Sequence, residues 1–387
     1  MRRSRTPYLV AMHNSQKLSR ALRALVSPIL KQFIGGGAPS AALPSHPIVG
    51  APVNGEKPPR KGLRLSLALQ GGGSFGAFTW GVLDRLLEEK DVSFDAVSGA
   101  SAGAINAIIL CSGLARGGKE GGRKALHQFW EQASRAAPTH GGVQHPSGLA
   151  LDVSTRLMSP YQFNPLDFNP LRALLGEVDF EALRKDPPLR LLIGATRVSD
   201  GGLRVFREHE ITQDVVLASA CLPLLQHAVT IDGEAYWDGG YAANPPLLPL
   251  VAASRACDIL VVQIIPTHGE ELPRTSPGII RRLNQMTFNN SLLHDLENLS
   301  SMMDLAKEQD GKGRMSRKLR RLALHRLSAE EKLPDLGEMS AFNLDWDFLT
   351  RLRDAGRTAA SEWIEREPSR EAEVTRLPEP ADALSSA

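Results

Sequence analysis

Residues 63–87, LRLSLALQGGGSFGAFTWGVLDRLL, run from an apolar stretch through a glycine loop into an amphipathic segment. The first seven residues are apolar enough for a buried strand, and residues 75–90 place apolar side chains on one face of a helix. Residues 92–114 repeat this order of strand, small-residue loop and apolar helix. Alternating strands and helices predict an α/β fold, a layered α/β/α domain with a largely parallel central sheet, plus cap-like helical segments.

The alternation continues along the chain. Further strands are predicted at 190–198, 203–206 and 258–265, with a hairpin around Asp232-Gly233. The chain is predicted to have three parts: a basic amphipathic leader with a Gly/Pro-rich linker (1–60), one α/β domain (61–367) and a disordered tail (368–387). Within the domain, the prediction distinguishes a motif core (63–265), a variable cap or lid (266–340) and a terminal helix (342–366).

The positive charge of the chain is concentrated at its start. Residues 1–60 carry nine lysines or arginines and one acid, a net +8, so the total of +2 leaves −6 for the other 327 residues. Such a segment can lie on an anionic membrane, and it also resembles an organellar transit peptide. A poorly ordered N-terminal arm without a specific role is the third interpretation and is equally open. The predicted location is the cytoplasm with peripheral membrane contact, and an organelle is the alternative. A second basic cluster comprises Lys312, Arg314, Arg317, Lys318, Arg320 and Arg321. We interpret it as a solvated charged face, and docking on an anionic surface is the alternative.

The sequence predicts no cofactor and no metal. Cys111, Cys221 and Cys257 are far apart, lie in apolar surroundings and lack metal-ligand spacing. Their predicted role is core packing in a reducing compartment. No run of eighteen apolar residues occurs, so no transmembrane helix is predicted.

The serine-hydrolase pattern G-x-S-x-G occurs twice, at residues 72–76 and 99–103. A nucleophile elbow needs a strand, a sharp turn and a helix in that order, and both copies satisfy it. Ser101 lies among alanines and between Gly99 and Gly103, so a tight turn can pack under the next helix, whose positive N-terminus suits an oxyanion. Ser74 follows three glycines, which suit a loop that donates backbone hydrogen bonds. Ser101 is therefore the predicted nucleophile.

The glycine run also fits the dinucleotide-binding pattern G-x-G-x-x-G through Gly71, Gly73 and Gly76. That pattern expects an acidic residue at the end of the second strand, where it binds a ribose. The second strand ends instead in serine and glycine, and the nearest acid, Asp95, lies near its start. A nucleotide-binding or scaffold protein is thus the weaker alternative to a hydrolase.

A serine nucleophile needs a base, and the tripeptide Asp-Gly-Gly occurs at Asp200 and at Asp238. Asp200 lies between two closely spaced strands, as in a hairpin turn. Asp238 follows a hairpin that is already closed and precedes a helix, where α/β proteins form their sites, although a turn role is equally open. A Ser-His-Asp hydrolase is the alternative, with His268, His294 and His325 after the acid and His140 and His145 before it.

Four segments together resemble one family. They are QGGGSFGAF at 70–78, SGASAGAIN at 98–106, ASACLP at 218–223 and IDGEAYWDGGYAANPP at 231–246. The chain resembles the patatin-like phospholipases, which are lipid acyl hydrolases, over roughly residues 63–265, and the helix near 342–366 is also similar. Many members carry a basic residue where this chain has Phe75, so the resemblance gives no headgroup contact at that position.

The resemblance implies a serine hydrolase that cleaves carboxyl esters of lipids through an acyl-enzyme, with a Ser-Asp dyad and no histidine. Its partners would be lipid or other ester substrates and a lipid surface, with no nucleic acid. A Ser-His-Asp esterase or a polyester depolymerase is the alternative. The implied site residues are Ser101 as nucleophile, Asp238 as base with Gly239 and Gly240 completing its motif, and the N–H groups of Gly71, Gly72 and Gly73 as oxyanion hole.

Overall fold

The computed structural model describes residues 62–136, 158–269, 272–308 and 313–366. The predicted leader, the predicted tail, His140 and His145 lie outside these described residues.

One sheet of eight strands runs through the described residues. The strands are β1 (Leu63–Leu69), β2 (Val92–Gly99), β3 (Arg190–Arg197), β4 (Leu203–Arg207), β5 (Val229–Ile231), β6 (Glu234–Asp238), β7 (Asp258–Gln263) and β8 (Ala323–Ser328). Their order is β5-β6-β3-β2-β1-β7-β8, with β4 paired to β3. β1, β2, β3, β7 and β8 are parallel, whereas β4 and β6 run antiparallel to β3.

Helices pack on both faces of this sheet. They are α1 (Gly76–Glu88), α2 (Ala102–Ala136), α3 (Pro160–Phe163), α4 (Pro170–Leu174), α5 (Phe180–Lys185), α6 (Gln213–Ser219), α7 (Leu247–Ala253), α8 (Ser276–Glu308), α9 (Arg314–Arg321) and α10 (Trp346–Arg366). Because strand side chains alternate, Leu65 and Leu67 join a core with α1, α2 and α10, whereas Ala68 joins a second core with α7 and α8. The predicted layered α/β/α fold is confirmed. Within the described ranges, no helix is both long and apolar enough to cross a membrane.

Two segments differ from the sequence prediction. α2 consists of two helical segments that meet at a kink, with non-helical backbone at Gly117 and at Gly118, where φ is 58°. The first segment ends a few residues after the predicted end near residue 114, and the second continues to Ala136. Residues 266–340, predicted as a cap or lid, supply β8 to the sheet and α8 to its second face. Much of that segment therefore belongs to the body of the domain.

The pairing of β3 determines where Asp238 lies. β2 pairs with the first half of β3, ending with Gly99 opposite Ile193. β6 pairs with the second half of β3 and places Asp238 opposite Ala195. β4 pairs along the other edge of β3, so β2 and β6 lie on the same edge of β3, one after the other. Since β6 runs antiparallel, its last residue meets the end of β2, and Ser101 follows directly from that end.

Candidate active site

Ser101 occupies the sharp turn between β2 and α2. Its φ is 53°, in the left-handed region that is uncommon for a residue with a side chain, and such strain clusters at functional sites. Its N–H donates both to the Ser219 carbonyl at 3.0 Å and to the Ser219 hydroxyl at 3.1 Å. The Ser219 hydroxyl in turn donates to the Gly194 carbonyl at 2.6 Å. The turn is thus held by a serine outside the motif, within the segment ASACLP, to which the sequence analysis assigned no role.

Three glycine motifs meet at this turn. A Cβ on Gly71 would lie 2.4 Å from the Ala100 carbonyl oxygen and 2.6 Å from the Ser101 Cβ. A Cβ on Gly239 would lie 2.1 Å from the Gly194 carbonyl oxygen and 3.1 Å from the Ala100 Cβ. Real Cβ atoms do not approach backbone this closely, so only glycine lets the glycine loop and the Asp-Gly-Gly loop press against the serine.

Asn244 holds the glycine loop in place. Its Oδ1 accepts the Gly71 N–H at 2.7 Å, and its Nδ2 donates to the carbonyls of Gly71 at 3.0 Å and Phe288 at 3.1 Å. The predicted oxyanion donors were Gly71, Gly72 and Gly73, and the N–H of Gly71 is therefore already occupied. Within the described residues, the N–H groups of Gly72 and Gly73 have no acceptor. Asn244 was missed as a site residue, although it follows the Asp-Gly-Gly motif in AANPP.

Asp238 is a fully buried carboxylate beside Ser101. Its Oδ1 accepts the Gly240 N–H at 2.8 Å, and its own N–H donates to the Cys221 carbonyl at 2.8 Å. The pKa of Asp238 is raised from 3.8 to about 7, because the effect of burial outweighs the Ser101 hydroxyl and the Gly240 N–H, which both lower the pKa. The Ser101 contact does not reach hydrogen-bond geometry, since Oδ2 of Asp238 has no hydrogen-bond partner among the described residues. Catalytic contacts are often long before substrate binds. The site therefore contains a buried carboxylate whose pKa lies near neutral pH.

Two further polar side chains border this carboxylate. Burial and then the charge of Asp238 raise the pKa of Tyr241 and of Cys221 to about 12, so both are neutral at physiological pH. The Cys221 thiol donates to the His227 carbonyl at 3.0 Å. The Tyr241 ring packs edge-on against Phe288 with centroids 4.9 Å apart. Neither the phenol nor the thiol is ionised to compete with Ser101 as a nucleophile.

The histidines that follow Asp238 have other surroundings. The side chains of His268 and His294 are 88% and 74% exposed. His325 lies on the outer strand β8, and its Nε2 pairs with Asp258 Oδ1 at 3.1 Å. These positions give no support to a Ser-His-Asp arrangement that uses any of the three.

The other two aspartates weighed in the sequence have structural positions. Asp200 lies in the turn between β3 and β4, where its Oδ1 accepts the Gly202 N–H at 2.8 Å. Asp95 pairs with Arg64 at 2.5 Å and Arg190 at 3.3 Å near the start of β2. Burial raises the pKa of Asp95, but backbone N–H donors and these two arginines outweigh it and lower the pKa overall. Asp95 is thus a buried carboxylate whose charge is balanced by two partly exposed arginines, and it does not face the glycine loop.

Ser74 and Phe75 are buried in the loop itself. The Ser74 N–H donates to the Ala341 carbonyl at 2.8 Å, which anchors the loop to the segment before α10. Phe75 is 4% exposed and packs edge-on against Phe348 with ring centroids 6.4 Å apart. Phe75 therefore contributes to the core, and its side chain is not available to a lipid headgroup.

Three known proteins show similarity to most of the chain. The uncharacterized protein YjjU of Escherichia coli (strain K12) is 24% identical over 302 residues, which cover 71% of this chain and 73% of that protein. VipD from Legionella pneumophila aligns with a TM-score of 0.40 and 16% identity, over 79% of this chain and 67% of that one. The ExoU–SpcU complex of the Pseudomonas aeruginosa type III secretion system aligns with a TM-score of 0.23 and 13% identity, over 79% and 76%.

A family model matches the segment that contains the site. Residues 67–251 match the model described as patatin-like phospholipase. This segment includes the glycine loop, the Ser101 turn and the Asp238 loop, which also carry the resemblance seen in the sequence. Residues 67–251 of the chain therefore match the patatin-like phospholipase family, and the match indicates an enzyme of the lipid acyl hydrolase class.

Proposed function

We propose that the chain hydrolyses carboxyl esters of lipids with a Ser101–Asp238 dyad and a glycine-loop oxyanion hole. One observation carries the proposal: a buried carboxylate with an unpartnered oxygen faces the hydroxyl of a strained serine, directly against the glycine loop. A nucleophile beside a base of suitable pKa is the arrangement that acyl transfer requires.

The reaction proceeds through an acyl-enzyme. The Asp238 carboxylate accepts the Ser101 proton while Oγ attacks the ester carbonyl carbon. The tetrahedral intermediate collapses, the protonated Asp238 gives its proton to the departing alcohol, and the acyl group stays on Oγ. Asp238 then takes a proton from water, which attacks the acyl carbon, and the returned proton restores the Ser101 hydroxyl as the fatty acid leaves.

The oxyanion is stabilised by backbone donors. Gly72 and Gly73 are the proposed donors, because their N–H groups have no acceptor in the described protein, whereas the N–H of Gly71 is bound to Asn244. The positive N-terminus of α2 begins immediately after Ser101 and adds to this stabilisation. A single such donor contributes about 3 kcal/mol to transition-state stabilisation in hydrolases.

A fluorophosphonate probe tests the assignment of the nucleophile. The serine oxygen displaces fluoride and forms a stable phosphonyl ester, so peptide mapping by mass spectrometry identifies the reacting residue. We expect one adduct at Ser101 and none at Ser74, because Ser74 is buried and held by Ala341. An adduct at another serine, or no adduct in folded protein, contradicts the proposed function.

The raised pKa of Asp238 predicts a pH dependence. The base must be ionised, so kcat/KM for a soluble ester should rise with pH and reach half its maximum near pH 7. Rates measured from pH 5 to pH 9, with protein stability checked at each pH, give the profile. A rate that is already constant across this range, as an ordinary aspartate with a pKa of about 4 would give, argues against Asp238 as the base.

A further inference from the structure

Exposed apolar side chains are concentrated around the catalytic serine. Fifteen large apolar side chains are exposed among the described residues. Twelve lie in residues 158–168, 224–241, 272–286 and at Phe342, and we call these twelve the apolar rim. The other three, Met302, Leu305 and Met315, lie on the second half of α8 and on α9.

The two rim segments formed by residues 272–286 and Phe342 adjoin the glycine loop and the Asp238 loop. Phe288 follows Met286 by two residues, and its ring lies 2.4 Å from the position of a Cβ on Gly240. Phe342 follows Ala341, whose carbonyl anchors the glycine loop. These side chains therefore lie at the edge of the sheet where β1, β2 and β6 end, as Ser101 and Asp238 do.

The rim segments on the other side adjoin the same loops. Leu224 lies in the loop that begins at Cys221, whose carbonyl accepts the Asp238 N–H. The Tyr161 hydroxyl accepts the Ala228 N–H at 3.1 Å, which joins residues 158–168 to that loop. The rim thus borders the site from two sides, and exposed apolar side chains that cluster in this way mark an interaction face.

The charges on α8 favour a lipid surface as the partner. From residue 272 to residue 294 the chain carries Arg274, Arg281 and Arg282 and no acid. Arg281 is anchored by donation from Nη1 to the Glu338 carbonyl at 3.1 Å, beside the rim. Guanidinium groups next to exposed aliphatic side chains match the phosphates and acyl chains of a lipid surface.

The basic helix α9 lies at the opposite edge of the sheet. It ends at Arg321, just before β8, which is parallel to β7 and β1. α9 therefore meets the edge where the strands begin, whereas Ser101 follows the edge where they end. Lys318 also donates to the carbonyls of Val251 and Ser254. The members of the basic cluster that the structure describes, Arg314 to Arg321, are thus remote from Ser101, and Lys312 lies outside the described residues.

We propose that the apolar rim is the surface by which this enzyme docks on a lipid aggregate, with Ser101 facing the lipid. The orientation of the docked enzyme, with Ser101 toward the lipid, rests on the proposed function, because that function makes Ser101 the nucleophile. Docking itself needs no turnover, so it can be measured on protein that lacks the nucleophile.

Matched positions on α8 provide the test. Leu283 and Leu305 are 56% and 53% exposed, and Met286 and Met302 are 45% and 40% exposed, so the two pairs differ mainly in their end of the helix. Two double variants are made in full-length Ser101→Ala protein. The rim pair is Leu283→Ser with Met286→Ser, and the matched pair is Leu305→Ser with Met302→Ser. Binding is measured by co-sedimentation with vesicles of phosphatidylcholine and phosphatidylglycerol at 0.15 M NaCl.

We expect the rim pair to lower the partition coefficient at least about tenfold, since each tenfold is about 1.4 kcal/mol and burying one such side chain contributes at least that much. The matched pair, and Arg317→Glu with Arg321→Glu on α9, should bind as the parent does. Equal losses in both α8 pairs, no loss in either, or a loss through α9 overturns the proposal.

Sedimentation velocity without lipid decides a further point: a dimer that only the rim pair dissociates would assign the rim to a second copy and also overturn it. Hydrolysis that persists in Ser101→Ala would instead refute the dyad and leave the binding result standing.

Discussion

Ser101→Ala is expected to lower kcat for a soluble ester by roughly 10⁴- to 10⁶-fold, the loss seen when a hydrolase nucleophile is removed. In the proposed mechanism the Ser101 hydroxyl forms the acyl-enzyme, and the neighbours Ala100 and Ala102 offer no replacement. Alanine can adopt the φ of 53° about as well as serine does, so the fold should persist. Steady-state hydrolysis and a thermal melt of the purified variant measure both expectations.

Ser74→Ala is the matched control for this loss. Ser74 belongs to the other G-x-S-x-G pattern, but it is buried, and alanine retains the backbone N–H that donates to the Ala341 carbonyl at 2.8 Å. Alanine loses only the longer hydrogen bond from the Ser74 hydroxyl to the Ser340 carbonyl, at 3.4 Å. We expect the activity of this variant to stay within a few-fold of wild type. Comparable losses in both variants, or residual activity of Ser101→Ala within tenfold of wild type, would remove Ser101 from the nucleophile role.

The parts of the site that the sequence predicts are local in the chain. A strand, a glycine turn and a helix follow one another within residues 63–88, so hydrophobic periodicity and glycine spacing are enough to predict them. The same holds for the hairpin of β5 and β6, whose turn is Asp232-Gly233. Local order gave Ser101 and Asp238 as candidates, and the resemblance to a family then joined them.

The residues that hold the site together depend on contacts between distant parts of the chain. Asn244 binds Gly71 across 173 positions, and Ser219 binds the Ser101 N–H across 118 positions. No periodicity within one element encodes such a contact. Both residues do lie inside the quoted family segments, so their motifs, though not their roles, were visible in the sequence.

The places of β8 and α8 in the body of the domain were not predicted, for a different physical reason. β8 reads ALHRLS, with the polar residues His325 and Arg326 adjacent, because it is a partly exposed outer strand. The first half of α8 exposes Ile279, Ile280 and Leu283, whereas its second half buries Leu292 and Leu296 against the sheet. A helix whose apolar residues face two environments has no single apolar stripe, so its periodicity is weak. The same mixed pattern produces the rim proposed to dock on lipid.

Asp238→Asn is expected to lower kcat by roughly 10²- to 10⁴-fold, the usual contribution of a general base. The amide retains the carbonyl oxygen that accepts the Gly240 N–H, so the loop geometry should survive. What is lost is the ability to take the Ser101 proton, and the remaining activity should no longer vary with pH around 7. Asp200→Asn is the control, because Asp200 makes the same local hydrogen bond to Gly202 in an exposed turn. Equal activity in the two variants would argue for a turn role at Asp238.

Asp238→Asn is also expected to change stability, in the opposite direction from activity. The folded-state pKa of Asp238 is raised from 3.8 to about 7, so folding favours the protonated form. That contribution is fully present below about pH 4 and is lost as the pH rises through 7, where the buried carboxylate must ionise. Asparagine carries no charge, so the variant should exceed wild type in unfolding free energy by about 2–4 kcal/mol at pH 8 and by little at pH 4.5. Denaturant unfolding at both pH values measures this difference, which Asp200→Asn should not show. A variant less stable than wild type at pH 8 would mean that the ionised carboxylate stabilises the fold. The inference that burial of the Asp238 charge costs folding free energy would then be wrong.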